Sequence, residues 1–204
     1  MIKRLFDLVF SLIGIVVFSP VMLLITAMMK ITSPGPILYK GTRIGQFGRP
    51  FRLLKFRTMV LNADKIGGPS TADDDARVTS IGRVLRRYKL DELPQLFNVL
   101  TGEMSFVGPR PEVPAEVALY SHEQRSLLRV LPGITDWASM RFHNEGEILK
   151  GSVNPHLMYQ EKIRPEKIRL GLEYVAKRSF CVDMQILFGT MALIVKTRTR
   201  LGPP

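Results

Sequence analysis

The hydrophobic pattern of the chain is strongest near its N-terminus, where residues 5–29 read LFDLVFSLIGIVVFSPVMLLITAMM. This stretch is apolar apart from Asp7 and a few small hydroxyl residues, and it has the length of one bilayer-crossing helix. Ser19 and Pro20 lie in its middle. Because proline removes a backbone donor and clashes with the preceding turn, this pair predicts that the helix breaks or kinks there.

The residues that flank this segment leave two membrane topologies open. Both flanks are basic, so the positive-inside rule gives no preferred crossing direction. A single-pass helix and a re-entrant helix that returns to the same side are both compatible with this pattern. A signal peptide is disfavoured, because the apolar run is too long and no cleavage site follows it. The flanking basic residues are Lys3, Arg4, Lys30, Lys40, Arg43, Arg49, Arg52 and Lys55.

Beyond the apolar segment, the alternation of polar and apolar positions predicts one α+β unit without internal repeats. The stretches PILYKG and PFRLLKFRTM, joined by IGQFGR, predict two short strands or a loose hairpin with a basic surface. Residues 61–76 predict a loop, whose three consecutive acids are more typical of a solvated turn than of a metal site. Residues 180–196 are apolar and predict a helix that lies in the membrane interface or packs on the first segment.

A helical period follows from Ser80 to Lys89, with Ser80 as the expected N-cap. Its apolar positions fall on one side of the helix, and three arginines, Arg83, Arg86 and Arg87, fall on the other. A solvated charged face is the ordinary interpretation. Beside a bilayer, however, such arginines meet anionic head groups or a lipid-linked phosphate, to which a guanidinium offers two donors.

Composition narrows the class of partner. The 204 residues carry a formal net charge of +11, which points to nucleic acid, a phospholipid surface or a phosphorylated substrate. The single cysteine, Cys181, excludes an internal disulfide framework and indicates a reducing compartment. No nucleic-acid recognition motif is visible, so we expect no nucleic acid among the partners.

Two adjacent acids, Asp91 and Glu92, precede another apolar stripe in LDELPQLFNVL. Pro94 suits the first turn of a helix and Gly102 suits its end, which places the acids at a helix N-terminus. Capping alone would explain acids there. The same position also suits a nucleophilic carboxylate that stays ionised, with a neighbour that holds a hard cation such as Mg²⁺.

Three stretches together resemble the bacterial sugar transferase family of small monotopic phosphoglycosyl transferases. They are KFRTM at 55–59, LRRYKLDELPQLFNVLTGEMSFVGPRP at 85–111 and PGIT at 132–135. The resemblance implies transfer of a sugar 1-phosphate from a UDP-sugar to a polyprenyl (undecaprenyl) phosphate with release of UMP. This is the first membrane step of bacterial exopolysaccharide or glycoconjugate assembly.

The resemblance also implies roles for individual residues. Asp91 would be the nucleophile that forms a covalent phosphosugar intermediate, and Glu92 would bind Mg²⁺. Arg86 and Arg110 match arginines that the family places around phosphate groups. The other substrate-binding candidates are Lys55 and Arg57 of the basic hairpin and Arg141 after PGIT.

The family favours the re-entrant topology, with Ser19 and Pro20 as the helix-breaking pair. We therefore expect a mainly helical α+β protein, with a membrane helix at 1–32 and a catalytic domain at 33–204 on the cytoplasmic face of the bacterial inner membrane. An anionic phospholipid membrane would be a further partner, and a homo-oligomer stays open.

The chain departs from the family after PGIT, where residues 136–147 read DWASMRFHNEGE. A contact of this segment with the sugar or the uridine and a plain polar loop both stay open. Two other functions are weighed against the resemblance. One is a membrane-anchored scaffold without catalysis, and the other is a glycosyl transferase that releases UDP.

Overall fold

The computed structural model describes residues 2–68 and 70–200, and over these residues the chain is mostly helical. The helices are α1 Ile2–Thr32, α2 Ala63–Ile66, α3 Ser80–Arg87, α4 Gln95–Thr101, α5 Pro114–Ala118, α6 Trp137–Arg141, α7 Glu145–Leu149, α8 Pro155–Met158, α9 Arg164–Lys177 and α10 Phe180–Arg200. The strands are β1 Leu38–Ile44, β2 Pro50–Phe56, β3 Ser105–Val107 and β4 Gly133–Thr135. The expected division at residues 32 and 33 stays a prediction, and its outer limits, Met1 and residues 201–204, lie outside the described residues.

The predicted break of the membrane helix at Ser19 and Pro20 is not found, because α1 is helical through both residues, and a kink there stays a prediction. The reason lies in the hydrogen bonds around the proline. In a regular helix the amide of residue 20 would donate to the carbonyl of Val16, and proline has no such donor. The hydroxyl of Ser19 donates to the Val16 carbonyl oxygen instead, at 2.7 Å. Serine therefore satisfies the acceptor that proline leaves open.

One face of α1 packs against the rest of the protein along much of its length. Its buried residues, Asp7, Ser11, Ile25 and Met29, recur at spacings that place them on a single helical face. Near the middle, the side chain of Leu96 from α4 lies 3.2 Å from the point where a Cβ on Gly14 would be. The helix thus rests on the body of the protein near both of its ends.

The opposite face of α1 is apolar and exposed. Among the described residues, α1 is a helix long and apolar enough to cross a membrane. Its exposed side chains include Leu5, Leu12, Val16, Leu23 and Leu24. This combination, one face on protein and one apolar face uncovered, makes membrane attachment plausible.

The start of α1 is fixed by a group of three residues, Lys3, Tyr174 and Asp183, which we call the N-terminal clamp. The ammonium of Lys3 donates to Asp183 Oδ2, to the Tyr174 hydroxyl at 3.2 Å and to the Val107 carbonyl oxygen at 2.9 Å. The Tyr174 hydroxyl also donates to Asp183 Oδ1 at 2.7 Å. The clamp joins α1 to β3, α9 and α10.

The predicted hairpin is confirmed. Strands β1 and β2 pair antiparallel from Leu38 opposite Phe56 to Ile44 opposite Pro50. Its apolar residues contribute to two core clusters, one against the C-terminal part of α1 and α3, and one against α4. The first cluster contains Ile25, Met29, Phe56 and Leu85, and the second contains Phe51, Leu53, Val99 and Met104.

A second, parallel pair of strands was not predicted. Here β3 and β4 align Ser105 with Gly133 and Val107 with Thr135. The two backbones come so close that a Cβ on Gly133 would lie 2.1 Å from the amide nitrogen of Gly108. Only glycine permits this approach, which explains why the PGIT stretch lies against the Gly-Pro-Arg-Pro stretch.

Two expected helices are confirmed with small corrections. The helix predicted from Ser80 to Lys89 ends at Arg87, and its N-cap is Thr79 rather than Ser80. The Thr79 hydroxyl accepts from the Gly82 amide at 3.0 Å, which satisfies one of the free donors of the first turn. The apolar C-terminal helix runs from Phe180 to Arg200.

Candidate active site

The acid pair lies in a short 3₁₀ turn, Leu90–Glu92, between α3 and α4. The prediction that it occupies the N-terminus of the following helix is therefore wrong in detail, because α4 begins only at Gln95. Lys89 adopts a left-handed conformation with φ of 56°, a backbone state that ordinary residues rarely adopt. This conformation turns the chain at the end of α3.

Glu92 is held between two cations. Lys55 Nζ and Arg110 Nη2 both donate to Glu92 Oε1, at 2.6 Å and 2.8 Å. Burial alone would raise the pKa of Glu92, but Arg110 and Lys55 together hold it well below its usual range. The glutamate is therefore ionised and fixed in place.

Asp91, the neighbouring acid, has a different environment. It is buried, and its Oδ1 has no hydrogen-bond partner among the described residues. Burial raises the pKa of Asp91, and the charge of Glu92 raises it further, whereas Lys55 and Arg86 oppose this shift. A buried anionic oxygen without a donor is costly in a folded protein and is typical of a group kept for chemistry.

Arg86 is positioned by contact between α3 and the end of β2. Its Nε donates to the hydroxyl of Thr58 at 2.8 Å. The helix can approach this closely because residue 82 is glycine; a Cβ there would lie 2.0 Å from the Thr58 carbonyl oxygen. Arg86 is near enough to Asp91 for each charge to shift the pKa of the other group.

Arg110 is positioned by the crossing of the two glycine-containing stretches. The Gly108 amide donates to the Thr135 carbonyl at 3.1 Å, and the Gly133 amide donates to the Pro109 carbonyl at 3.0 Å. These bonds fix the backbone just before Arg110, and the prolines on both sides restrict it further. The attraction of Glu92 raises the pKa of Arg110, which stays charged.

Two predicted substrate-binding residues make their contacts elsewhere. The guanidinium of Arg57 is buried, and its Nη2 donates to the Ser33 hydroxyl and carbonyl oxygens and to the Pro34 carbonyl oxygen. It ties the end of α1 to the hairpin. Arg141 is exposed at the end of α6, where its charge acts on Glu166. Their roles in substrate binding stay predictions without support from the geometry.

The acid pair offers a limited set of ligands for a divalent cation. Among the described residues no group of three or more His, Cys, Asp or Glu side chains is arranged to hold a metal. Mg²⁺, however, commonly takes one or two carboxylates and completes its shell with water and substrate phosphates. The unpartnered Oδ1 of Asp91 and the carboxylate of Glu92 fit that manner of binding.

One arginine near the site was predicted only as part of a basic surface. Arg43 lies near the end of β1, where burial and then the charge of Arg110 lower its pKa. No sequence pattern indicates this proximity, because 67 positions separate the two residues and their distance depends on how the hairpin packs. The Gly-Pro-Arg-Pro stretch reaches β1 through a backbone bond from the Ile44 amide to the Glu112 carbonyl oxygen at 3.0 Å.

Comparison with known proteins identifies the family to which the chain belongs. The sequence matches the bacterial sugar transferase family over residues 1–197, and the chain belongs to this family. The resemblance inferred from KFRTM, the acid pair and PGIT is thus confirmed.

Three relatives illustrate the similarity. The chain is 36% identical over 199 residues to a UDP-N-acetylgalactosamine-undecaprenyl-phosphate N-acetylgalactosaminephosphotransferase of Aeromonas hydrophila, covering 95% of this chain and 44% of the relative. It is 37% identical over 200 residues to a UDP-glucose:undecaprenyl-phosphate glucose-1-phosphate transferase of Escherichia coli, covering 94% and 39%. It is 38% identical over 203 residues to the exopolysaccharide production protein PSS of Rhizobium leguminosarum, covering 93% of both chains. The chain thus spans less than half the length of the first two relatives.

Proposed function

We propose that this chain transfers a sugar 1-phosphate from a UDP-sugar to undecaprenyl phosphate and releases UMP. The names of the relatives supply the donor and acceptor classes. The observation that carries the proposal is the contrast within the acid pair. Glu92 is fixed by Lys55 and Arg110, whereas Asp91 keeps a buried oxygen without a donor. Glu92 is thus held in position, whereas Asp91 is available to react with a substrate.

The first half-reaction uses Asp91 as the nucleophile. A carboxylate oxygen of Asp91 attacks the phosphorus that carries the sugar, and the bond from this phosphorus to the bridging oxygen breaks. The bridging oxygen leaves as part of UMP, and the sugar phosphate stays on Asp91 as an acyl phosphate. Arg86, whose charge acts on Asp91, and Arg110, which donates to Glu92, would stabilise the charge on the phosphate oxygens.

The second half-reaction restores Asp91. An oxygen of undecaprenyl phosphate attacks the same phosphorus, and the bond from Asp91 to phosphorus breaks. The product is undecaprenyl diphosphate-sugar, and the carboxylate is free again. In this scheme Lys55 and Arg110 keep Glu92 ionised and in place throughout.

Mg²⁺ would be held by Glu92 and by the unpartnered oxygen of Asp91, together with substrate phosphates. When bound, it would supply positive charge that stabilises the phosphate oxygens. Glu92 Oε1 already accepts from Lys55 and Arg110. Part of the role of Glu92 is therefore to balance these two cations even without metal.

The experiment follows the covalent intermediate. Purified full-length protein is mixed with each of several UDP-sugars without lipid acceptor, and intact-protein mass spectrometry and peptide mapping locate any adduct. We expect one phosphosugar on Asp91, and UMP release that continues when undecaprenyl phosphate is added. Release of UDP would indicate an ordinary glycosyl transferase. No adduct and no nucleotide release with any donor would favour a non-catalytic scaffold.

We further propose that α1 is a monotopic anchor that enters the cytoplasmic face of the membrane and does not cross it. Support comes from its packing: Lys3 and Arg4 near one end and Met29 near the other all contact the same body. A single-pass helix would carry one end about 30 Å away, across the bilayer.

Cysteine labelling in intact cells tests this topology. In a variant that first replaces the exposed Cys181 by serine, single cysteines are placed at Ile2 and at His122, both exposed. We expect a membrane-impermeant reagent added outside to reach neither site, and lysis to expose both. Labelling of the Ile2 site alone from outside would show that α1 spans the membrane.

A further inference from the structure

The β1–β2 hairpin presents two cations on one face. Opposite residues in a hairpin share a face, and every second residue along a strand does too. Lys55 is opposite Tyr39, and Arg43 follows Tyr39 by four positions on the same strand. Lys55 and Arg43 therefore project to the same side, with their backbones about 13 Å apart at 3.3 Å per residue. Lys55 reaches Glu92, which places the acid pair at one end of this face.

Arg43, at the other end of the face, has Glu112 as a nearby opposite charge but forms no ion pair with it. Its Nε is buried without a hydrogen-bond partner in the described part of the chain. It takes part in none of the ion pairs that these residues form. Burial lowers the pKa of Arg43 and the neighbouring charge of Arg110 lowers it further, whereas the charge of Glu112 opposes the shift.

Other largely buried arginines of the protein are paired or bonded. Arg77 donates to both carboxylate oxygens of Asp75, Arg164 donates to Glu116, and Arg57 donates to the Ser33–Pro34 backbone. Arg57 and Arg164 each keep one buried nitrogen without a partner, but both make other hydrogen bonds through their guanidinium groups. Burying a guanidinium beside a second one, with its Nε unbonded and no ion pair formed, is costly, and a structural role does not explain it. An anion that both arginines bind would remove the cost.

We propose that Arg43 binds the nucleotide's own phosphate in the UDP-sugar, the phosphate that leaves with UMP. This inference rests on the proposed function and adds a residue to it. Asp91 and Arg86 lie at the end of the site where the sugar-bearing phosphate reacts. Arg110 connects the two ends, because it contacts Glu92 and lies close to Arg43. The second phosphate then falls between Arg110 and Arg43.

The test compares UMP with uridine, which differ by this phosphate alone. Binding of both to the full-length protein in detergent is measured for wild type, Arg43→Gln, Arg43→Lys and Arg52→Gln. Arg52 is the matched control, since it lies on the opposite face of the same hairpin and donates to Thr42 Oγ1 at 2.8 Å. We expect Arg43→Gln to weaken UMP binding about tenfold or more and leave uridine binding unchanged. The lysine variant should restore part of the loss.

Thermal unfolding separates this role from a structural one. Because Arg43 Nε lacks an acceptor and the charge of Arg110 opposes that of Arg43, Arg43→Gln should unfold at the same temperature as wild type or higher. An unchanged preference for UMP over uridine in Arg43→Gln would overturn the inference, as would equal losses of both ligands together with a lowered unfolding temperature.

The outcome is distinguishable from failure of the proposed function. If wild type itself binds UMP no better than uridine and forms no adduct with any UDP-sugar, the proposed function fails and the inference fails with it. If wild type forms the adduct and Arg43→Gln forms it with the same dependence on UDP-sugar concentration, only the role of Arg43 is wrong.

Discussion

Two clusters of charge in this protein look alike in composition and differ in how completely their atoms are bonded. The N-terminal clamp contains one cation, one carboxylate and a tyrosine, and both oxygens of Asp183 accept hydrogen bonds within it. The cluster around the acid pair also joins cations to carboxylates, but Asp91 Oδ1 and Arg43 Nε remain without partners.

The difference indicates what each cluster does. A saturated cluster gains its bonding energy on folding and has little left for a ligand, so the clamp is suited to holding α1 on the body. In the cluster around the acid pair, burial of unbonded polar atoms lowers the free energy of unfolding. A bound phosphate that bonds to the cations can offset this cost. Substitutions should therefore separate the two clusters, since one set should change chemistry and the other should change stability.

The largest expected effect is on chemistry, in Asp91→Asn. An amide oxygen is a poor nucleophile, so turnover should fall to background and no phosphosugar should attach to the protein. Because Asp91 is buried without a donor to Oδ1, losing its charge should leave the unfolding temperature unchanged or raise it. Mass spectrometry and thermal unfolding measure the two effects. An adduct formed to the wild-type extent would return Asp91 to a structural role.

Glu92→Gln should lower both the turnover and the stability of the protein. The neutral amide of glutamine accepts more weakly from Lys55 and Arg110, and it no longer offsets the repulsion between these two cations. The free energy of unfolding should therefore fall by about 2 kcal/mol. Turnover should also fall, and added Mg²⁺ should recover part of it if metal binding is weakened. Denaturant unfolding and a magnesium titration of UMP release measure these effects. Stability equal to wild type would show that the two cations do not depend on Glu92.

Asp183→Asn in the clamp should give the reverse pattern. Loss of the charge weakens the bonds from Lys3 and Tyr174, so unfolding free energy should fall by about 1–3 kcal/mol. The acid pair is untouched, so adduct formation by the folded fraction should stay near that of wild type. The fraction of protein in the membrane pellet serves as a further readout for the position of α1. Loss of the adduct in well-folded variant protein would contradict the separation of the two clusters.

The sequence predicted much of the acid-pair cluster because its motifs are local. LDELPQ and Gly-Pro-Arg-Pro name Asp91, Glu92 and Arg110 directly, and these residues do meet Lys55 in the fold. The hairpin was also predictable, since two strands joined by a glycine-rich turn form by local pairing. What the motifs could not supply is the difference between the two acids, which arises from burial and from long-range packing.

The other differences between the sequence-based predictions and the structure also arise from contacts that local motifs do not encode. Arg57 and Lys55 belong to one motif, yet Lys55, within β2, donates to Glu92, whereas Arg57, just past the end of β2, donates to the Ser33–Pro34 backbone. The parallel pair of β3 and β4 was missed because each strand has three residues, too few for a periodic signal. At Pro20, the sequence predicted a break or a kink; the helix does not break, and the Ser19 hydroxyl donates to the carbonyl oxygen that proline leaves without a donor.

The smallest expected effect is a difference in pH dependence between the two acids. The pKa of Glu92 is lowered, so its contribution to stability is present above its unfolded-state pKa and is lost only as pH falls through the lower folded value. The pKa of Asp91 is raised, so the nucleophilic form disappears at a higher pH, while Glu92 still holds its cations. On acidification, adduct formation should therefore decline before the unfolding temperature does.

The control for this prediction is Asp91→Asn, which lacks the group with the raised pKa. Above the pKa of Asp91, wild type carries a buried charge that the variant does not, so any stability advantage of the variant should shrink as pH falls. Adduct formation by wild type and thermal unfolding of both proteins are measured over the same pH series. If the adduct and the folded structure are lost at one common pH, the loss of activity in acid reports unfolding. The pKa values of the two carboxylates are then not shifted in opposite directions.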